Sequence, residues 1–216
     1  MTTAATEARV APKRVALYLG SAHGDSPAYR GMTVAVVRHL AASGHSLVYG
    51  GGSVGLMGVA ADTALDEGMD VHGVITRHLY DGETGHTGLT SLEIVETMNE
   101  RKHRMAETAD AMVTLPGGIG TLEEFFEVWT AQVLGIHHKP VALMDVEGYW
   151  TPLLGMLDQM VSRGFFNAEH RDGLIHLTEV SGLSAALDSW TPAAAKWSQK
   201  KIHTTTGAMT GETRMP

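Results

Sequence analysis

The chain reads Leu115-Pro116-Gly117-Gly118-Ile119-Gly120-Thr121-Leu122-Glu123-Glu124 between two apolar segments. The preceding segment, 111–115, is typical of a buried strand, and the following segment, 125–134, is typical of a helix. Glycines let backbone N–H groups approach a ligand closely, and the first turn of a helix leaves its N–H groups unpaired at the positive end of the dipole. The stretch therefore predicts an anion site, most often one for phosphate.

The acidic end of this stretch has two possible interpretations. Thr121 and Glu124 have the spacing of a capping box, with Thr121 as the N-cap and Glu124 as the third helical residue. That role would be purely structural, but a cap does not require the glycines that precede Thr121. If a phosphate took the N-terminal N–H groups, the Glu124 carboxylate would be free for chemistry on a bound phosphorylated molecule.

Strands and helices alternate along the chain on both sides of this stretch. Strands are predicted at 14–19, 45–49, 71–75, 92–95, 111–115, 139–144 and 174–177. Helices are predicted at 28–42, 56–67, 97–107, 125–134, 150–163 and 182–190, and a loop at 76–88. Such alternation is typical of a parallel sheet with helices on both faces.

Right-handed crossovers then predict an α/β fold of the doubly wound, Rossmann-like type, as a single domain. We expect this domain to occupy 13–190. The small polar residues of 1–12 predict disorder, and 191–216 is expected to form a flexible tail. The glycine loops that follow strands would meet at the carboxyl edge of the sheet, where ligands bind in such folds.

A second glycine loop follows the predicted strand 45–49. Gly50, Gly52 and Gly55 satisfy the pattern G-x-G-x-x-G. A dinucleotide site also requires an acid about 20 residues later, at the end of the next strand, and none is present near Thr76. A ligand-binding loop and a tight strand-to-helix turn are about equally supported by this pattern.

The helix predicted at 97–107 carries positive charge near its start. Thr97 and Glu100 form a second capping box, so Glu100 is expected to act as a cap. Arg101 and Lys102 follow at once, where cations oppose the helix dipole by about 0.3–1 kcal/mol each. They either point into water and pair with nearby acids, or face a bound anion or base, and the sequence leaves both open.

Composition narrows the class of function. The 216 residues include 16 Lys+Arg, 24 Asp+Glu and no Cys, with a net charge of −8, which argues against a nucleic-acid or anionic-membrane binder. The 12 His lack metal-ligand spacing such as H-E-x-x-H, so no metal site is expected. No apolar stretch reaches the roughly 20 residues of a membrane span, and 1–12 has no apolar signal region. We expect a cytoplasmic protein.

Three segments together resemble the Lonely Guy (LOG) family: 50–58, 98–102 and 116–124. The signatures of that family are P-G-G-x-G-T-x-x-E and an Arg-Lys pair in the preceding unit, and the resemblance extends over about 15–187. Its members are Rossmann-like homodimers, some larger, that act as cytokinin riboside 5′-monophosphate phosphoribohydrolases. They release the base and ribose 5-phosphate from N6-substituted AMP or from AMP. The resemblance implies the same reaction here on a nucleoside 5′-monophosphate, in a homodimer or larger homo-oligomer without a cofactor.

The resemblance also implies roles for individual residues. Arg101 and Glu124 would be the catalytic pair. Substrate-binding positions would be Glu83, Met98, Lys102, Gly118, Ile119, Gly120, Thr121, Leu122, Glu123 and Thr130. Gly118, Gly120 and Thr121 would hold the phosphate. Further phosphate-loop positions would be Gly20, Ser21, Gly51 and Gly52.

Two other classes of function share parts of this pattern. A nucleotide-binding or carrier protein of Rossmann-like fold would have the glycine loops, but would not need both Arg101 and Glu124. A dinucleotide-dependent oxidoreductase is disfavoured by the missing acid near Thr76. The family has also been labelled lysine decarboxylase, a chemistry that would need a pyridoxal-phosphate lysine, and no argument from the residues supports one.

Overall fold

A computed structural model describes residues 13–196 of the chain, apart from the side chain of Glu83. It contains one seven-stranded sheet, ordered β4-β3-β2-β1-β5-β6-β7, in which all neighbouring strands are parallel. The predicted α/β, doubly wound fold is therefore confirmed. The segment 1–12 and most of the predicted tail, 197–216, lie outside the described residues.

The seven predicted strands all form, each within two residues of the expected bounds. They are β1 (Arg14–Tyr18), β2 (Ser46–Tyr49), β3 (Val71–Thr76), β4 (Ser91–Val95), β5 (Ala111–Thr114), β6 (Val141–Met144) and β7 (Ile175–Leu177). The helices are α1 (Pro27–Ala42), α2 (Gly55–Asp66), α3 (Arg77–Leu79), α4 (Met98–Thr108), α5 (Ile119–Val133), α6 (Thr151–Ser162), α7 (Ala168–Asp172) and α8 (Leu183–Ser189).

The prediction of a loop at 76–88 is wrong in its first half. The short helix α3 runs directly into one π-helical turn, Tyr80–Thr84. The Thr76 side chain caps α3 by accepting a hydrogen bond from the Leu79 N–H at 3.4 Å. Eight residues with Gly and Asp among them carry too little periodicity for this helix to be predicted.

Two hydrophobic clusters cover the two faces of the sheet. One contains the apolar residues of α1, α2 and α8, and the other those of α4, α5 and α6. Helices on both faces are what a parallel sheet requires, because both faces of its strands are apolar. None of the helices that the structure describes is long and apolar enough to cross a bilayer.

The strand order reverses between β1 and β5. From β1 the chain runs outward through β2, β3 and β4, then returns to pair β5 with the other side of β1. The loops after these two strands meet, and the Gly20 N–H donates a hydrogen bond to the Pro116 carbonyl at 3.2 Å. In open parallel sheets the crevice at such a reversal binds ligands.

Candidate active site

A cavity of about 560 Å³ opens at this crevice, on the carboxyl edge of the sheet. Its walls come from the loops after β1, β2 and β5, from the residues around α3, and from the first turns of α4 and α5. Ten of the predicted site residues line it: Ser21, Gly52, Met98, Arg101, Gly118, Ile119, Gly120, Thr121, Glu123 and Glu124. The volume is in the range of pockets that hold drug-sized ligands, roughly 300–1,000 Å³.

Arg101 is fixed at the base of this cavity by three hydrogen bonds. Its Nε donates to the Val74 carbonyl at 3.0 Å and its Nη2 to the Gly50 carbonyl at 3.1 Å. Its Nη1 donates to Glu124 Oε1, also at 3.0 Å. Only 6% of Arg101 is exposed. The guanidinium therefore does not point into water, and it has a defined orientation toward the ligand space.

Glu124 is buried on the other side of this ion pair, with 9% of the residue exposed. Burial raises the pKa of Glu124, because the charged form loses its hydration, and the guanidinium of Arg101 opposes the rise. A carboxyl group held in this way beside a ligand cavity is suited to proton transfer or to stabilising a cation.

The prediction of a capping box at Thr121 and Glu124 is wrong. The N-cap of α5 is Gly118, three residues before Thr121, and it has no side chain to accept a hydrogen bond. Glu124 is the sixth residue of α5 and cannot reach the helix start. The second predicted capping box, Thr97 with Glu100 at the start of α4, is present.

The open start of α5 is the best anion site on the cavity wall. Among the described residues, nothing accepts a hydrogen bond from the N–H groups of Ile119, Gly120 and Thr121. A Cβ added at Gly118 or Gly120 would meet no atom within 4 Å, so the chain itself does not require glycine there. Both positions line the cavity, and the lack of side chains there leaves the neighbouring N–H groups open to an anion.

The glycine loop after β2 has a different use. The N–H groups of Leu56 and Met57, at the start of α2, donate to the Gly20 carbonyl at 3.0 and 3.3 Å. Gly55 has φ +59° and a Cβ there would lie 2.2 Å from Ser21, so glycine permits this close approach. Two of the first N–H groups of α2 are thus occupied by the loop after β1.

The same loop also anchors the segment after the π-helical turn. The Ser53 N–H donates to the Thr84 carbonyl at 2.7 Å, and the His86 N–H donates to the Gly51 carbonyl at 2.9 Å. Thr84 and Leu79 line the cavity. The loop therefore acts as a structural turn that places a further wall of the cavity.

Five predicted site residues lie outside the cavity wall of the described chain: Gly20, Gly51, Lys102, Leu122 and Thr130. Lys102 is buried beneath α5 and pairs with Glu123 and Glu127. Leu122 packs against the cluster under α5, and Thr130 is exposed further along α5. Glu83 lies in the π-helical turn, and its side chain is outside what the structure describes.

Seven residues of the wall are missing from the sequence prediction: Leu19, Gly50, Val54, Met57, Ile75, Leu79 and Thr84. Five of them are apolar; Val54 and Met57 lie within the signature segment 50–58, whereas no motif distinguishes the other three from core residues. Gly50 also carries a signal, since it is the first glycine after β2. A Cβ there would lie 1.8 Å from Arg101 Nη2, so this glycine makes room for the guanidinium.

The sequence matches known proteins along most of its length. A family model described as possible lysine decarboxylase matches residues 57–187. A cytokinin riboside 5′-monophosphate phosphoribohydrolase of Rhodococcoides fascians is 41% identical over 189 residues, which are 87% of this chain and 96% of that protein. The cytokinin riboside 5′-monophosphate phosphoribohydrolase LOG1 of Arabidopsis thaliana is 38% identical over 190 residues, which are 88% of this chain and 89% of that protein. The chain belongs to the Lonely Guy family.

Solved structures add a fold relationship for this LOG family member. The molybdenum cofactor binding protein of Rippkaea orientalis superposes with a TM-score of 0.62 at 16% identity, covering 83% of this chain and 97% of that one. The molybdenum cofactor carrier protein of Chlamydomonas reinhardtii gives 0.61 at 19% identity, covering 82% and 97%. At such low identity these likenesses concern the fold alone.

The description possible lysine decarboxylase does not fit the cavity of this LOG protein. Pyridoxal phosphate requires a lysine that forms a Schiff base. Among the residues that the structure describes, none that lines the cavity is a lysine. The nearby Lys102 is engaged by two carboxylates.

Proposed function

We propose that the chain hydrolyses the N-glycosidic bond of cytokinin riboside 5′-monophosphates and of AMP, releasing the free base and ribose 5-phosphate. The observation that carries this proposal is the buried pair of Arg101 and Glu124, 3.0 Å apart, beside the open N-terminus of α5 in one cavity. The relatives of about 40% identity that bear the name of this reaction support it.

In the proposed complex the 5′-phosphate binds at the start of α5. The N–H groups of Ile119, Gly120 and Thr121 donate to its oxygens, and the helix dipole favours its charge. Because the phosphate is remote from the bond that breaks, its binding energy holds the sugar in register. Removing the phosphate therefore lowers turnover as well as affinity.

Breaking the bond between the sugar and the base passes through an oxocarbenium-like state. The anomeric carbon gains positive charge, and the base gains negative charge. The ionised Glu124 carboxylate stabilises that cation or takes a proton from the attacking water. Water oxygen then bonds to the anomeric carbon as the carbon–nitrogen bond breaks, and the base leaves with its electron pair.

Arg101 is assigned to the leaving base. Its guanidinium donates hydrogen bonds to a ring nitrogen as negative charge develops there. It does not supply the proton, because a guanidinium is too weak an acid to give up its proton to the base. Water therefore delivers the proton that the base finally carries.

The proposal includes the assembly and location of the protein. We infer a homodimer that covers the apolar rim of the cavity, where Ile119 is 88% exposed and Met98 is 44% exposed. We further propose that the protein works in the cytoplasm. Light scattering on the purified protein tests the dimer, and a monomeric mass at working concentration contradicts it.

The reaction is tested by incubating the purified protein with AMP, with isopentenyladenosine 5′-monophosphate and with the nucleoside that lacks phosphate. Chromatography measures the free base. We expect release from the two nucleotides and little from the nucleoside. Binding of the nucleotides without any release of base would instead favour a non-catalytic nucleotide-binding or carrier protein.

A further inference from the structure

Tyr18, the last residue of β1, has a hydroxyl group that packing does not explain. The residue is 1% exposed and lies in the same cluster as Phe125, the residue after Glu124 on α5. Among the described residues the hydroxyl has no hydrogen-bond partner. A buried hydroxyl without a partner is destabilising, whereas the ring of phenylalanine would fill the same space at no such cost.

Two of the charged groups that act on this hydroxyl form the proposed catalytic pair. The carboxylates of Glu124 and Glu127 on α5 and the guanidinium of Arg101 on α4 interact with it electrostatically. Burial, and then these two carboxylates, raise the pKa of Tyr18, so the hydroxyl keeps its proton and is a donor. It is therefore a buried donor that feels the charge of two carboxylates and bonds to neither in the free chain.

The two acceptors differ in how firmly they are held. Glu127 pairs with the buried ammonium of Lys102. Glu124 receives one hydrogen bond among the described residues, from Arg101 Nη1. The other charges that act on Glu124 are Glu123 and Lys102, which pair with each other. Glu124 is thus the carboxylate that loses its donor when Arg101 moves.

We propose that Tyr18 is a positioning residue for Glu124, an inference that rests on the proposed function. When Arg101 turns its Nη1 group to the leaving base, the Tyr18 hydroxyl donates a hydrogen bond to the released carboxylate. A hydrogen bond to the charged form of an acid favours that form. Tyr18 therefore keeps Glu124 oriented and ionised at the stage when the sugar becomes cationic.

The first test compares Tyr18→Phe with Tyr49→Phe. Tyr49 is a matched control, because its hydroxyl is also buried without a partner, but it lies in the cluster on the opposite face of the sheet. We expect Tyr18→Phe to lower kcat about tenfold and to move the acid limb of the kcat profile, which reports the enzyme–substrate complex, upward by about one pH unit, with KM little changed. Tyr49→Phe should match the wild type. Superimposable pH profiles for Tyr18→Phe and the wild type overturn the inference.

A second test does not depend on activity. In Arg101→Met the carboxylate has lost its guanidinium donor, so the effect of Tyr18 becomes visible. Carboxyl carbon NMR should show Glu124 titrating at higher pH in Arg101→Met/Tyr18→Phe than in Arg101→Met alone. Identical titrations overturn the inference. If the wild type releases no base, the proposed function fails. This titration then still shows whether the Tyr18 hydroxyl donates a hydrogen bond to Glu124.

Discussion

Replacing Gly50 with alanine should displace Arg101 and leave the fold intact. The added Cβ would lie 1.8 Å from Arg101 Nη2 and 3.0 Å from its Cζ, whereas ordinary contacts begin at 3.4 Å. Because Nη2 is the far end of a flexible side chain, the guanidinium moves by at least about 1.6 Å while the strands stay in place. It then loses its hydrogen bonds to Gly50 and Glu124.

A displacement of this size at a catalytic group costs about 100-fold in rate. We therefore expect kcat/KM for isopentenyladenosine 5′-monophosphate to fall about 100-fold in Gly50→Ala, with a loss of about 1–3 kcal/mol in the free energy of unfolding. Gly31→Ala is the control, since a Cβ at Gly31 meets no atom within 4 Å and the residue lies inside α1. Its kinetics should be unchanged, and its helix slightly more stable. Wild-type kcat/KM in Gly50→Ala would refute the role given to Arg101.

Three further predictions concern the same region. Burial raises the pKa of Glu124, and activity requires its ionised form. As the pH is lowered, kcat/KM should therefore begin to fall at a pH above the pKa of an exposed glutamate, about 4.3. An activity profile that stays flat to pH 4 contradicts this. Gly120→Ala should raise KM and lower kcat with little change in Tm, because the new methyl group meets no other atom of the chain and lies beside the N–H groups proposed for the phosphate; unchanged initial rates would place the phosphate elsewhere. Thr97→Ala should cost about 1 kcal/mol in urea unfolding at constant kcat/KM, since it removes the cap of α4; equal stability would argue against that cap.

The architecture was predictable because the strands inside the sheet are short, mostly apolar runs with turn-forming residues around them. Parallel pairing buries both faces of these strands, so their composition alone marks them. The start of α5 was misplaced because Thr121 and Glu124 have capping-box spacing, while the actual N-cap, Gly118, contributes no side chain. Spacing along the sequence does not distinguish these two helix starts.

The site was predictable only through its signature residues. Arg101 and Glu124 are 23 residues apart in sequence, and their contact depends on how α4 and α5 cross the sheet. The partners that orient Arg101 are backbone carbonyls 27 and 51 residues away, and a carbonyl has no sequence signal. Whether the Arg101 side chain points into water or toward a ligand therefore depends on tertiary contacts, which the sequence does not reveal.

Glu124 is the residue proposed to catalyse glycosidic cleavage of a nucleoside 5′-monophosphate. The most direct test is the release of base and ribose 5-phosphate from isopentenyladenosine 5′-monophosphate by the wild type and by Glu124→Gln. Glu100→Gln serves as the control, since Glu100 only caps α4. We predict that the wild type and Glu100→Gln each release base and ribose 5-phosphate in equal amounts and at the same rate. In Glu124→Gln the rate of release should fall by at least about 100-fold. No products from the wild type, or equal rates in Glu124→Gln, would contradict the claim.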